Sequence, residues 1–150
     1  TVISVDGGHR CVDDLGSEAA IFRKCQEAML AGRLPELKIL MKQDGQLCME
    51  KILEVQEQGN AEVNSIIENA IEFLGIALAN VVNLINPRYV VVDSYLFETE
   101  KNREKLLESA KRNFFGLNEE EVQIVFTAFE KYCGAKGAAY FLLREQFLNI

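Results

Sequence analysis

The chain has 150 residues, a formal net charge of −7, 49% hydrophobic and 26% charged residues. That length suits one domain able to bury a core, and that balance is globular and argues against disorder. Its basic residues are scattered among a surplus of acids, so the clustered positive charge that phosphate contacts require is missing.

In chain order, residues 1–5 carry Val2, Ile3 and Val5 and read as a short strand, closed by the turn signal Asp6-Gly7-Gly8, with His9 inside that turn. The chain opens on this strand without Met and reads as a piece of a longer protein. A helix is predicted over 17–31, with Ser17 as N-cap and Gly32 as its stop. Ala20 stands where a capping box wants Glu or Gln. A short helix over 34–41 starts with Pro35 in its first turn, and Asp44-Gly45 breaks it. The helix over 48–58 turns Met49, Ile52, Leu53 and Val55 inward and stops at Gly59-Asn60.

Residues 61–85 form the strongest element. Apolar side chains recur from Val63 through Ile66, Ile67, Ala70 and Ile71 to Val82 and Ile85 at helical spacing. At about 1.5 Å per residue such a helix spans roughly 37 Å, a domain diameter. Its first half keeps a polar face at Glu62, Glu68 and Glu72. Its second half is nearly apolar all round and is expected to be enclosed on most sides. Asn86-Pro87 stops it, because the residue before proline disfavours the helical region. The run 89–92 lacks alternation and reads as a central strand covered on both faces. A helix over 99–114, a strand at Val122, Ile124 and Phe126, and a helix over 134–147 complete the chain. The order α-β-α-β-α from residue 61 demands a parallel strand pair.

The cysteines Cys11, Cys25, Cys48 and Cys133 form no CxxC pair, which fits reduced thiols in a cytoplasm. No signal peptide is visible, and Asn80 and Asn83 interrupt the longest apolar stretch, so no membrane span is expected. A single histidine, His9, argues against a histidine triad or multi-histidine metal site, and no phosphate-binding loop or dinucleotide fingerprint occurs. The run Glu119-Glu120-Glu121 reads as a solvated turn.

Three segments carry a resemblance. LGIALANVVNLINP, residues 74–87, with the apolar run 89–92 after it, is similar to the pattern LG-x-x-(I/L)-A-N-(L/V)-(V/I)-N-L-(L/I)-NP plus strand of the ROK proteins (repressors, open reading frames and sugar kinases). The segment 134–139, Gly-Ala-Lys-Gly-Ala-Ala, resembles that family's GAxGAA start of the last helix. The segment 6–20 resembles its zinc-loop region. Asp6, Gly7 and Cys11 match, as do Ser17-Glu18-Ala19-Ala20, but the other three cysteines are absent. One Cys cannot supply the four ligands of a structural zinc, and His9 does not take the zinc histidine's place. Cys11 is thus a weak metal candidate, and zinc is expected only in the full-length protein.

The resemblance spans nearly the whole chain and implies an α/β, actin-like (ribonuclease-H-like) fold, helix-rich with a small partly parallel sheet, as the C-terminal half of a ROK protein. It also implies nucleotide-cleft equivalents at Asp93, Ser94, Gly134 and Gly137. Where ROK proteins usually carry Gly-Gly, which in the kinases lets the backbone approach the nucleotide, this chain has Asp93-Ser94, and a carboxylate facing phosphates without a metal repels them. The plainer reading is that both only satisfy backbone donors in a loop. For Gly137, Ala138 and Ala139 the plainer reading is close packing of helix on sheet. The implied function is the sugar-sensing, oligomerising domain of a bacterial transcriptional repressor of the N-acetylglucosamine/xylose type. It would be no enzyme and a homodimer, would bind a sugar or sugar phosphate, and would touch DNA only through a missing N-terminal domain. The alternative is the C-terminal half of a ROK sugar kinase, its catalytic aspartate outside this chain. A paralogue used only for assembly is the third. Apolar residues on the early helices, Phe22, Met29, Leu37 and Leu40, outnumber the expected core positions and motivate the dimer.

Overall fold

The computed structural model describes residues 2–5, 8–42, 45–115, 122–127 and 133–143. A hairpin opens the chain. Strand β1 (Val2–Val5) pairs antiparallel with β2 (Gly8–Cys11), Ser4 facing His9. His9 is therefore a ladder residue of a strand and not part of a turn; Asp6 and Gly7 lie outside the described residues. Helices α1 (Val12–Gly16) and α2 (Glu18–Leu30) meet at Ser17, whose Oγ accepts from the Ala20 amide at 3.2 Å and donates to the Asp13 carbonyl at 2.5 Å. One hydroxyl thus closes one helix and opens the next. Next come α3 (Pro35–Met41) and α4 (Met49–Glu57). Between them Gly45 takes φ +75°, while Asp44 lies outside the described residues.

Helix α5 (Ala61–Ile85) runs 25 residues, as its apolar spacing demands. Asn60 caps it by accepting from the Val63 amide at 3.1 Å. Asn86 ends it in the left-handed region at φ 49°, and Pro87 has no amide to continue the ladder. The chain then enters β3 (Tyr89–Val92), which pairs parallel with β4 (Gln123–Phe126), Tyr89 beside Gln123 and Val92 beside Phe126. A 3-10 turn at Tyr95–Phe97 and helix α6 (Glu100–Lys111) carry the chain from one strand to the other. Helix α7 (Cys133–Leu143) comes last; the end of the helix expected over 134–147 and the Glu119-Glu120-Glu121 run lie outside the described residues.

Ile21, Leu34, Leu37, Ile52, Val55, Val63 and Ile67 form a core between α2–α4 and α5, closed by Leu96, Phe97 and Leu106. Helix α6 lies along α5. Asn64 meets Lys101, Glu68 meets Lys105, and Glu72 meets Ser109 and Arg112. Partner numbers rise together, so the two helices run in the same direction, as a strand returning between them requires. The surface ion pairs contribute about 0–1 kcal/mol each. The constraint lies underneath them. A Cβ on Gly75 would overlap Ser109 Oγ and stand 3.1 Å from the Ala110 nitrogen, so only a hydrogen fits.

Five expectations are corrected. Strand β3 is not covered on both faces: Tyr89 and Val91 are 52% and 63% exposed while Val90 and Val92 turn inward. The second half of α5 is not enclosed, since Leu84 is 85% exposed and Ile85 also faces out. Helix α7 does not pack on the sheet through small residues: side chains 135–143 are exposed, and a Cβ on Gly137 would meet nothing within 4 Å. Leu37 is a core residue, with Phe22, Met29 and Leu40 packed against the core, whereas Leu30 and Ile39 are the exposed ones. Asn80 and Asn83 do not deny α5 the length and apolar character to cross a membrane. Its buried stripe is covered by other parts of the protein, which makes it the core helix.

The α5–α6 crossing gives a direct test. Gly75→Ala is expected to lower stability by about 1–3 kcal/mol, the range for overpacking. Urea unfolding reads it as a lower midpoint at unchanged slope. Adding Ser109→Gly to Gly75→Ala is expected to restore part of the loss.

Candidate functional site

Open parallel strands leave binding space beyond their C-terminal ends. Here β3 delivers Asp93 and Ser94 to that place. Asp93 Oδ1 accepts from Thr127 Oγ1 at 2.8 Å, tying the two strand ends together just past the ladder. Ser94 Oγ accepts from the Leu96 amide at 3.2 Å, which starts the 3-10 turn, and donates to Glu18 Oε1 at 3.0 Å. Glu18 is the first residue of α2, where the helix dipole favours a carboxylate.

These groups rim a cleft of about 430 Å³, within the usual range for small-molecule sites. Leu74, Ala77 and Leu78 of α5 form one wall, Gly16, Ser17 and Glu18 the next, and Val92, Asp93, Ser94 and Leu96 the third. The lining is mostly apolar, with Ser17, Glu18, Asp93 and Ser94 as its polar members. Two carboxylates and two hydroxyls accept and donate hydrogen bonds there, and among the described residues no Lys or Arg lines it. Such a rim suits a neutral, hydroxyl-rich molecule with an apolar C–H face. It opposes a polyphosphate on sign alone.

Of the sequence candidates, the fold brings Asp93 and Ser94 to this cleft, and Gly134 and Gly137 fall in α7, Gly137 not being among the lining residues. The plainer reading of Asp93 and Ser94 holds in part. Ser94 does cap a turn, while its hydroxyl also reaches Glu18. Glu18 is the residue that sequence reasoning passes over. Its position just after an N-cap reads as a helix-start acid, and nothing local signals Ser94, 76 residues away. Cys11 is exposed and free, and its amide donates to the Asp14 carboxylate at 3.3 Å. Among the described residues no three His, Cys, Asp or Glu side chains stand where they could hold a metal.

Cys25 is buried in the core, and that burial, then the Glu62 carboxylate, pushes its thiol up to about 11. The thiol is therefore inert in the fold. Because the folded value lies above the ordinary 9.0, its contribution to stability is full below pH 9 and is lost as pH rises toward 11. In a Cys133→Ser background, a thiol reagent at pH 8 is expected to label Cys11 at once and Cys25 only after unfolding. Cys25→Ala is expected to flatten the alkaline decline in a series of unfolding curves.

With the geometry in place, the comparison with known proteins decides the lineage. The model of the ROK family matches residues 3–145. The chain belongs to the ROK family. Among solved structures, the ROK hexokinase from Thermus thermophilus matches 96% of this chain with a TM-score of 0.64 at 19% identity. At that identity the likeness shows the fold alone. The chain spans about half that protein, covering 45% of it. Among curated proteins none matches at significance. The ROK resemblance seen at residues 74–92 and 134–139 thus holds at the level of the family, and the helix-rich architecture with a two-stranded parallel sheet agrees with the class it implied.

Proposed function

We propose that this chain is the sugar-sensing and oligomerising domain of a ROK transcriptional regulator, with an actin-like fold and a cytoplasmic site of action. The observation that carries the reading is the Glu18–Ser94–Asp93 rim over an apolar cleft. Its acceptors suit the hydroxyls of a hexose, and its negative charge disfavours the phosphates of ATP. DNA contact belongs to an N-terminal domain outside this acidic chain, and a complete zinc loop, if the protein has one, to the whole protein. Leu30 and Ile39, exposed on α2 and α3, support a homodimer.

The second reading is the C-terminal half of a ROK sugar kinase, with the catalytic aspartate elsewhere. The likeness to a ROK hexokinase over 96% of this chain favours it. The two readings part on nucleotide. On the intact protein, calorimetry is expected to detect a hexose and no micromolar ATP affinity. Glu18→Ala is expected to weaken the hexose about tenfold or more, the cost of a hydrogen bond to a charged acceptor. Micromolar ATP binding would replace the regulator by the kinase, and hexose affinity indifferent to Glu18→Ala would remove the cleft from either role. In sedimentation, the intact protein is expected to run as a dimer at high micromolar concentration; a strict monomer rejects the assembly part.

A further inference from the structure

The rim of the cleft is held from behind by two buried amides. Asn102 of α6 is fully buried and Gln56 of α4 nearly so. They bond face to face, Gln56 Nε2 donating to Asn102 Oδ1 at 2.9 Å and Asn102 Nδ2 donating to Gln56 Oε1 at 3.1 Å. The second Nδ2 hydrogen of Asn102 goes to the Leu96 carbonyl at 2.9 Å. That contact fixes which way the amide points, since a carbonyl oxygen accepts only from the nitrogen side. Leu96 is also part of the rim: its own amide, in the peptide group before it, donates to Ser94 Oγ, whose hydroxyl donates to Glu18. The peptide group of the Leu96 carbonyl carries the Phe97 amide, which donates to the Ser94 carbonyl at 3.1 Å. A path of hydrogen bonds and the peptide groups they hold therefore runs from α4 through α6 to the Ser94 backbone, and from the Ser94 hydroxyl to α2.

Two physical points make this more than packing. Burying two amides is unnecessary for stability alone, because an apolar pair of similar shape would be near neutral. A satisfied buried network serves instead to select one arrangement. And the carbonyls ending a short helical turn are orphans that need donors. Helix α6 supplies both, Asn102 to Leu96 and Arg103 Nε to Phe97. The buried Leu96 and Phe97 side chains set the depth of the turn; the bond to the Leu96 carbonyl holds the rotation of the Leu96–Phe97 peptide plane, and with it the direction of the Phe97 amide toward the Ser94 carbonyl.

We infer that Asn102 and Gln56 are positioning residues: they lock the Leu96–Phe97 peptide, whose Phe97 amide holds the Ser94 carbonyl, so that Ser94 presents its hydroxyl to Glu18 at the cleft. What that cleft receives rests on the sugar-site reading; the lock itself does not. The test is amide hydrogen exchange on the intact protein in Gln56→Met, Asn102→Leu and the Gln56→Leu/Asn102→Leu double variant. Lys101→Ala, an exposed neighbour on α6, is the control. Exchange at Leu96 and Phe97 is expected to quicken at least tenfold in Asn102→Leu and in the double variant, and less in Gln56→Met. Amides of α5 from Ile66 to Ile71 are expected to stay protected, and the control to leave the turn unchanged. Unchanged exchange at Leu96 and Phe97 in the double variant, with α5 still protected, overturns the inference. Should the Leu variants lose α5 protection, Gln56→Met decides: unchanged exchange at the turn in that variant overturns it too. D-glucose binding, measured in parallel, is expected to fall about tenfold in Asn102→Leu. A wild type that ignores D-glucose removes the sugar from the site and leaves the exchange result to stand by itself.

Discussion

The distance between α5 and α6 is set by a glycine hydrogen facing a serine side chain, and the rest of the architecture depends on that distance. With Gly75 against Ser109, the two helices run together closely enough for Glu68 and Glu72 to find Lys105 and Arg112. Asn83 then reaches across, donating to the Asn113 carbonyl and accepting from the Phe115 amide, so α6 is clasped at its end as well as its middle. Two helices in the same direction leave only a returning strand between them in the chain. Asn86 and Pro87 make that return abrupt, and β3 is the result. The position of Asp93 and Ser94 is a consequence of this geometry and not of any preference of their own.

The site inherits its chemistry from the residues at the strand end. Glycines there would leave room and no charge. An aspartate and a serine bring an acceptor bonded to Thr127 just past β4 and a hydroxyl bonded to α2. Together with Glu18 they bring polar groups and negative charge to a mostly apolar lining. Charge sign, more than shape, separates a hydroxyl-rich ligand from a phosphorylated one here. The buried amide pair behind the turn belongs to the same logic, since a polar rim is useful only if its hydroxyl points one way.

How much of the fold is legible in the sequence depends on how local each signal is. Helix α5 and strand β3 are legible to the residue, because a long apolar stripe and an Asn-Pro stop are local facts. Ser17 as a cap belongs with them. Strand β2 escapes sequence reading because Gly8, His9 and Arg10 look like a turn and become a strand only by pairing with β1. Helix α1 and the 3-10 turn are too short to show a period. Enclosure of β3 and of the end of α5 is what their apolar residues suggest and the fold does not deliver: an apolar residue announces that it wants cover, not that cover is present. Within the site, Asp93 and Ser94 are marked by departure from a family pattern, whereas Glu18, Gln56 and Asn102 act through partners far along the chain that no spacing reveals.

The central claim is that α5 delivers the chain into a parallel strand pair whose shared end carries the site. Nuclear Overhauser contacts between β3 and β4 test it most directly. The account predicts contacts joining Tyr89 with Gln123 and Val92 with Phe126, numbers rising together. Contacts joining Tyr89 with Phe126 and Val92 with Gln123 would make the pair antiparallel, and the cleft built on its C-terminal ends would not exist.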